Sequence, residues 1–94
     1  MKEYHYKITR ISEEEQWIFI SSDDKWDREE PDSFICLLQR IKQAMNSEII
    51  ALGDTRYKFT NDSLNLIFQW DSLFGITVEY RNKVKTIQFL SDFL

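Results

Sequence analysis

Residues 56–80 read RYKFTNDSLNLIFQWDSLFGITVEY, and this stretch decides the fold. Leu64, Leu66, Phe68 and Trp70 alternate with Asn65, Ile67 and Gln69, and Ile76, Val78 and Tyr80 alternate with Thr77 and Glu79. A period of two places each set on one face of a strand. Arg56–Thr60, Leu64–Trp70 and Ile76–Tyr80 are therefore predicted as strands. The links between them, Asn61-Asp62-Ser63 and Asp71 to Gly75, consist of turn formers and are too short for a crossover. Strands joined this way form an antiparallel meander.

Working outward from the meander, Arg81-Asn82-Lys83 leads into a short amphipathic helix, Val84–Leu94, with Val84, Ile87, Leu90 and Leu94 inward. Upstream, Phe34, Leu38, Ile41, Met45, Ile49 and Leu52 recur at spacings of three and four, the mark of a helix with one buried stripe. Asp32 or Ser33 can cap its start and Gly53 is its natural stop, with Asn46-Ser47 as a weaker break. Tyr4–Ile11 alternates Tyr4, Tyr6 and Ile8 with His5, Lys7 and Thr9, which predicts a half-buried strand. Trp17–Ile20 is a β-branched and aromatic run, read as a strand covered on both faces. Glu13–Glu15 links these two as a hairpin. The fold class expected is α+β, a single domain over residues 1–94. Its order is ββαβββα, an antiparallel sheet with the helices packed on one face.

Composition bounds the function. With 94 residues the chain holds one core. A charged fraction of 30%, an aromatic fraction of 15%, two glycines and one proline describe a packed body, not a disordered segment. Cys36 is alone, so a disulfide scaffold is excluded. No apolar run reaches the length of a membrane span and MKEYHYKITR has no signal-peptide core, so the chain reads as cytoplasmic. The formal net charge is -4. Between Ser12 and Asp32 stand Glu13, Glu14, Glu15, Asp23, Asp24, Asp27, Glu29, Glu30 and Asp32 against only Lys25 and Arg28. A field of that sign repels nucleic-acid phosphates and attracts basic surfaces, so direct nucleic-acid binding is disfavoured.

Catalytic chemistry finds little to work with. Nucleophilic hydrolysis needs a hydroxyl or thiol beside a base, and the single histidine, His5, reads as an exposed strand residue. Cys36, next to Phe34 and Leu37, reads as a buried inert thiol. One Cys and one His cannot assemble a zinc site, and two glycines cannot build a phosphate-cradling loop. Asp23, Asp24 and Asp27 lack the alternating pattern and central glycine of a calcium loop. The expectation is a protein that is not an enzyme and takes no cofactor and no metal.

Function is expected in the loop Ser22–Asp32, where Trp26 stands among acids. A large aromatic anchor inside a charged rim is how interface hot spots are built, and the acids steer a basic partner to it. The candidate partner-binding residues are Asp23, Asp24, Trp26, Asp27, Glu29 and Glu30. A bland alternative has Trp26 folded back onto the body. Phe89 and Phe93, four apart and off the inward stripe, read either as part of a wide apolar helix face buried against the sheet or as a second candidate surface, for a dimer or partner. An outward sheet face through Tyr57, Phe59 and Ile67 is a third.

A small acidic single-domain chain with a Trp-bearing acidic loop resembles the immunity proteins of bacterial polymorphic-toxin systems. The stretch Leu66-Ile67-Phe68-Gln69-Trp70-Asp71-Ser72-Leu73-Phe74-Gly75-Ile76-Thr77-Val78 is similar to the strand–turn–strand of some short members. It covers about a seventh of the chain and holds no diagnostic motif, so no functional residue carries over. The resemblance implies a stoichiometric inhibitor that occludes a toxin, often a basic nuclease. The alternative from another class is a structural or assembly subunit that homodimerises through a sheet edge or the C-terminal helix.

Overall fold

The computed structural model describes residues 4–22, 32–53, 55–71 and 73–94. They form β1 (Tyr6–Ser12), β2 (Trp17–Ser22), α1 (Asp32–Met45), β3 (Ile50–Ala51), β4 (Arg56–Thr60), β5 (Asn65–Asp71), β6 (Gly75–Tyr80) and α2 (Lys83–Phe93). The six strands make one sheet in the order β1-β2-β6-β5-β4-β3, every neighbour antiparallel. The chain is thus α+β, as the alternating patterns predict.

Strands β5 and β6 form with the predicted facing. Leu64, Leu66, Phe68, Trp70, Ile76, Val78 and Tyr80 are buried in one cluster with Ile18 and Ile20 of β2 and Phe59 of β4. From α1, Phe34, Leu37, Leu38, Ile41 and Met45 join the same cluster, and Leu90 joins it from α2. Both helices therefore cover one face of the sheet. Phe59 and Phe68, each fully buried, meet edge to face at 5.4 Å, the arrangement that aromatic quadrupoles favour.

Five expectations need correction. Helix α1 ends at Met45 and not at Gly53, because Asn46 takes a left-handed φ of 50°. The amide of Ser47 then donates to the Lys42 carbonyl and that of Asn46 to Gln43, the paired bonds of a Schellman stop. Residues 50–51 become β3, a two-residue edge strand that adds one strand to the predicted order, and Leu52 is exposed. In α2, Val84 is 74% exposed while Thr86 and Leu90 are buried, so the inward stripe starts two positions later than predicted. Asn82 caps that helix, its side chain accepting from the Lys85 amide.

The third correction concerns β2, which the described helices cover on one face only: Ile18 and Ile20 point into the core, while Trp17 and Phe19 stand half-buried on the opposite face. The fourth concerns Tyr57 and Phe59, which pack inward and leave Ile67 alone of that trio on the outer face. Cys36, expected buried, is a half-buried free thiol, and His5 is exposed as expected.

Candidate functional site

Cross-strand partners share a face, so the register lays out the uncovered side of the sheet row by row. One row runs Ser12, Trp17, Glu79, Ile67, Lys58, and the next runs Arg10, Phe19, Thr77, Gln69, Arg56. Two features of the chain concentrate aromatic surface at the β1–β2 end of these rows.

The first is a β-bulge. Ile8 pairs with Ile20 and Arg10 with Phe19, so Thr9 is an extra residue, and its hydroxyl donates to the Phe19 carbonyl. An unbroken period of two would set Arg10 on the same face as Tyr6 and Ile8, against the core. The bulge reverses that facing. Arg10 instead lies outside, its guanidinium 5.3 Å from the Phe19 ring centroid. That is cation–π range.

The second is the β5–β6 turn. The carboxylate of Asp71 accepts from the amides of Leu73 and Phe74, at 2.7 and 3.3 Å, and Gly75 takes a φ of 74° that a side chain would resist. This brings Phe74 to the rings of Trp17 and Phe19. The three centroids lie 6.1 to 6.5 Å apart, all edge to face. Leu73, at the tip, is 84% exposed and Phe74 55%.

Beside the three rings is a depression of about 390 Å³ lined by Arg10, Ser12, Glu14, Glu15, Trp17, Phe19 and Phe74. Its acidic wall is the β1–β2 turn, held from three directions. The Glu15 amide donates to the Ser12 hydroxyl, and the Tyr80 amide donates to the Gln16 carbonyl where Gln16 has a φ of 60°. Glu13 pairs with Lys83 at the start of α2. That pairing pulls the Glu13 carboxyl below its ordinary value and raises Lys83, in each case first through the shared hydrogen bond.

Of the residues expected to act, Asp23, Asp24, Trp26, Asp27, Glu29 and Glu30 lie outside the described residues. Phe89 and Phe93 are half-buried, stacked at 5.7 Å, and packed against the core. The Arg40 guanidinium sits over Phe93 and over Tyr6, at 5.4 and 5.5 Å, joining α1 to α2 and to β1. The cluster of Trp17, Phe19 and Phe74 was not among the expected sites. A signal for it exists in the sequence. Trp17-Ile18-Phe19-Ile20 is apolar on both faces, and Leu73-Phe74 puts two large apolar residues in a tight turn, where solvation favours polar ones.

Among the described residues no group of three or more His, Cys, Asp or Glu could hold a metal ion, and no helix is long and apolar enough to cross a membrane. The depression offers ring surface, one guanidinium and carboxylates, which is equipment for binding. No protein-family model, curated protein or solved structure matches the chain.

Proposed function

We propose that this chain is a non-enzymatic binding protein and, in its most specific form, a stoichiometric inhibitor of the immunity type that neutralises a basic protein such as a toxin nuclease. The observation that carries the reading is the group of Trp17, Phe19 and Phe74, half out of water on the sheet face that the described helices leave open and continued by the exposed Leu73. Clustered exposed aromatic surface of this kind marks interaction sites. Charge supports a basic partner. The described residues carry nine acids and nine bases, so the formal -4 arises from Asp54 and the segment around Trp26. In this reading Asp23, Asp24, Asp27, Glu29 and Glu30 steer the partner and Trp26 anchors it.

The test is capture from the source cell's lysate at low and high salt, followed by reconstitution with the purified captured protein. The reading expects a basic protein bound one to one and inhibited, with association slowed by charge reversal at Asp23, Asp24 and Asp27 and dissociation sped by Trp26→Ala. Recovery of the chain alone, or of a salt-resistant complex with itself, rejects it in favour of an assembly subunit.

A further inference from the structure

Trp17 is the largest ring on the open face, and its chemical surroundings are one-sided. Its direct cross-strand neighbours are Ser12 and Glu79, and Glu14 and Glu15 line the depression beside it. Neither Glu14 nor Glu15 has an ion-pair partner among the described residues, since Lys83 is taken by Glu13. The one base lining the depression, Arg10, is engaged on Phe19. Trp17, the ring type that attracts cations most strongly, carries none among the described residues.

From this arrangement we infer that the depression beside Trp17 receives an arginine side chain of a basic protein partner, stacked on the indole with its guanidinium between Glu14 and Glu15. The inference rests on the basic-partner reading above and adds a second contact site to it. Charge complementarity selects the occupant. Ring faces are negative at their centres, and the free carboxylates of Glu14, Glu15 and Glu79 outweigh Arg10. The same carboxylates repel phosphate, which disfavours a nucleic-acid strand stacking on these rings. A flat guanidinium suits the site better than an ammonium because it stacks on an aromatic face while donating along its edge to carboxylates. Arg10, 5.3 Å from the Phe19 ring centroid, shows the ring contact of such a guanidinium within the molecule itself. Glu14 and Glu15 sit on a turn pinned at Ser12, Gln16 and Glu13, so little ordering accompanies binding.

The test uses the full chain, labelled for NMR, and two blocked octapeptides in which glycine alternates with either arginine or lysine. The arginine peptide should shift the Trp17 indole N–H and the amides of Glu14 to Gln16 saturably, and the lysine peptide should bind more weakly. Trp17→Leu should weaken the arginine peptide about fivefold. Glu14→Gln with Glu15→Gln, at exposed turn positions that leave the core untouched, should weaken it at low salt. Equal affinity of both peptides, or of wild type and both variants, overturns the inference. Shifts confined to residues 23–30 also overturn it while leaving the basic-partner reading standing, and binding at neither place removes both. Broadening of the Trp17 signal with concentration of the chain alone overturns it in favour of a self-interface.

Discussion

The side-chain amide of Asn61 donates to the backbone carbonyl of Met45 at 3.2 Å, across sixteen positions of sequence. The same residue's carbonyl oxygen accepts from the amides of Ser63 and Leu64, each at 2.8 Å. One side chain therefore closes the β4–β5 turn and caps the last turn of α1. Asn61→Ala should cost about 1–3 kcal/mol, because it strips a helix carbonyl and two turn amides of partners at once. Urea unfolding followed by tryptophan fluorescence measures it. A loss within error of zero would mean that water replaces all three bonds.

Asn46 is the other hinge of that helix end. At a φ of 50° an asparagine is tolerated and a β-branched residue is not. Asn46→Val should destabilise by about 1–2 kcal/mol, whereas Asn46→Gly should leave stability nearly unchanged. Thermal melts of the two variants side by side distinguish strain from the loss of a side-chain contact.

Phe68 is fully buried at the centre of the sheet, edge on to Phe59. Phe68→Ala should cost about 3–5 kcal/mol, a large part of the stability of a domain this size. Phe68→Leu keeps most of the volume and should cost clearly less. Midpoint denaturant concentrations of the two variants give the comparison.

Thr86 predicts a gain. It is completely buried in α2, and its hydroxyl has no hydrogen-bond partner among the described residues. Replacing that hydroxyl by a methyl removes a desolvated group and keeps the shape, so Thr86→Val should stabilise by about 1 kcal/mol. A higher melting temperature is the expected result, and a lower one would show that the hydroxyl is satisfied in solution.

The pair Glu13–Lys83 predicts a pH dependence. Glu13 is held below its ordinary value of 4.5 in the folded chain, so its contribution is present above that value and fades as pH falls through the lowered one. Lys83 is raised above 10.5, so its contribution is present below 10.5 and fades as pH rises through the raised value. Both groups are solvated, which keeps the effect on stability small and sensitive to salt. The clean readout is the Glu13 carboxyl titration by NMR. In Lys83→Met it should return to the ordinary glutamate range.

Much of this architecture is legible in local patterns. The alternation in residues 56–80 predicts three strands and the inward faces of the last two, because a sheet covered on one side writes its burial into every second residue. Three features are not written that way. A two-residue strand such as β3 is too short to show a period. The end of α1 depends on a left-handed Asn46, which competes with an apolar stripe running on to Leu52. The open-face aromatic cluster depends on a bulge at Thr9 and on the pairing of β2 with β6, both settled by tertiary contacts. An apolar run such as Trp17–Ile20 reads as doubly covered unless something outside the strand says which side lacks a helix. The acidic segment, which composition points to directly, lies outside the described residues.

The pairing of β2 with β6 also governs how the chain can be made. Trp17 meets Glu79 and Ile20 meets Ile76, so the first hairpin finds its neighbour only when the last strand has been synthesised. Until then Ile18 and Ile20 have no sheet to complete, and a two-stranded hairpin is marginal alone. β2 and β6 must therefore find each other across most of the domain before that edge of β2 is protected. Closing the sheet is a late step, and a nascent chain stalled before residue 76 is expected to present this hairpin to chaperones and proteases.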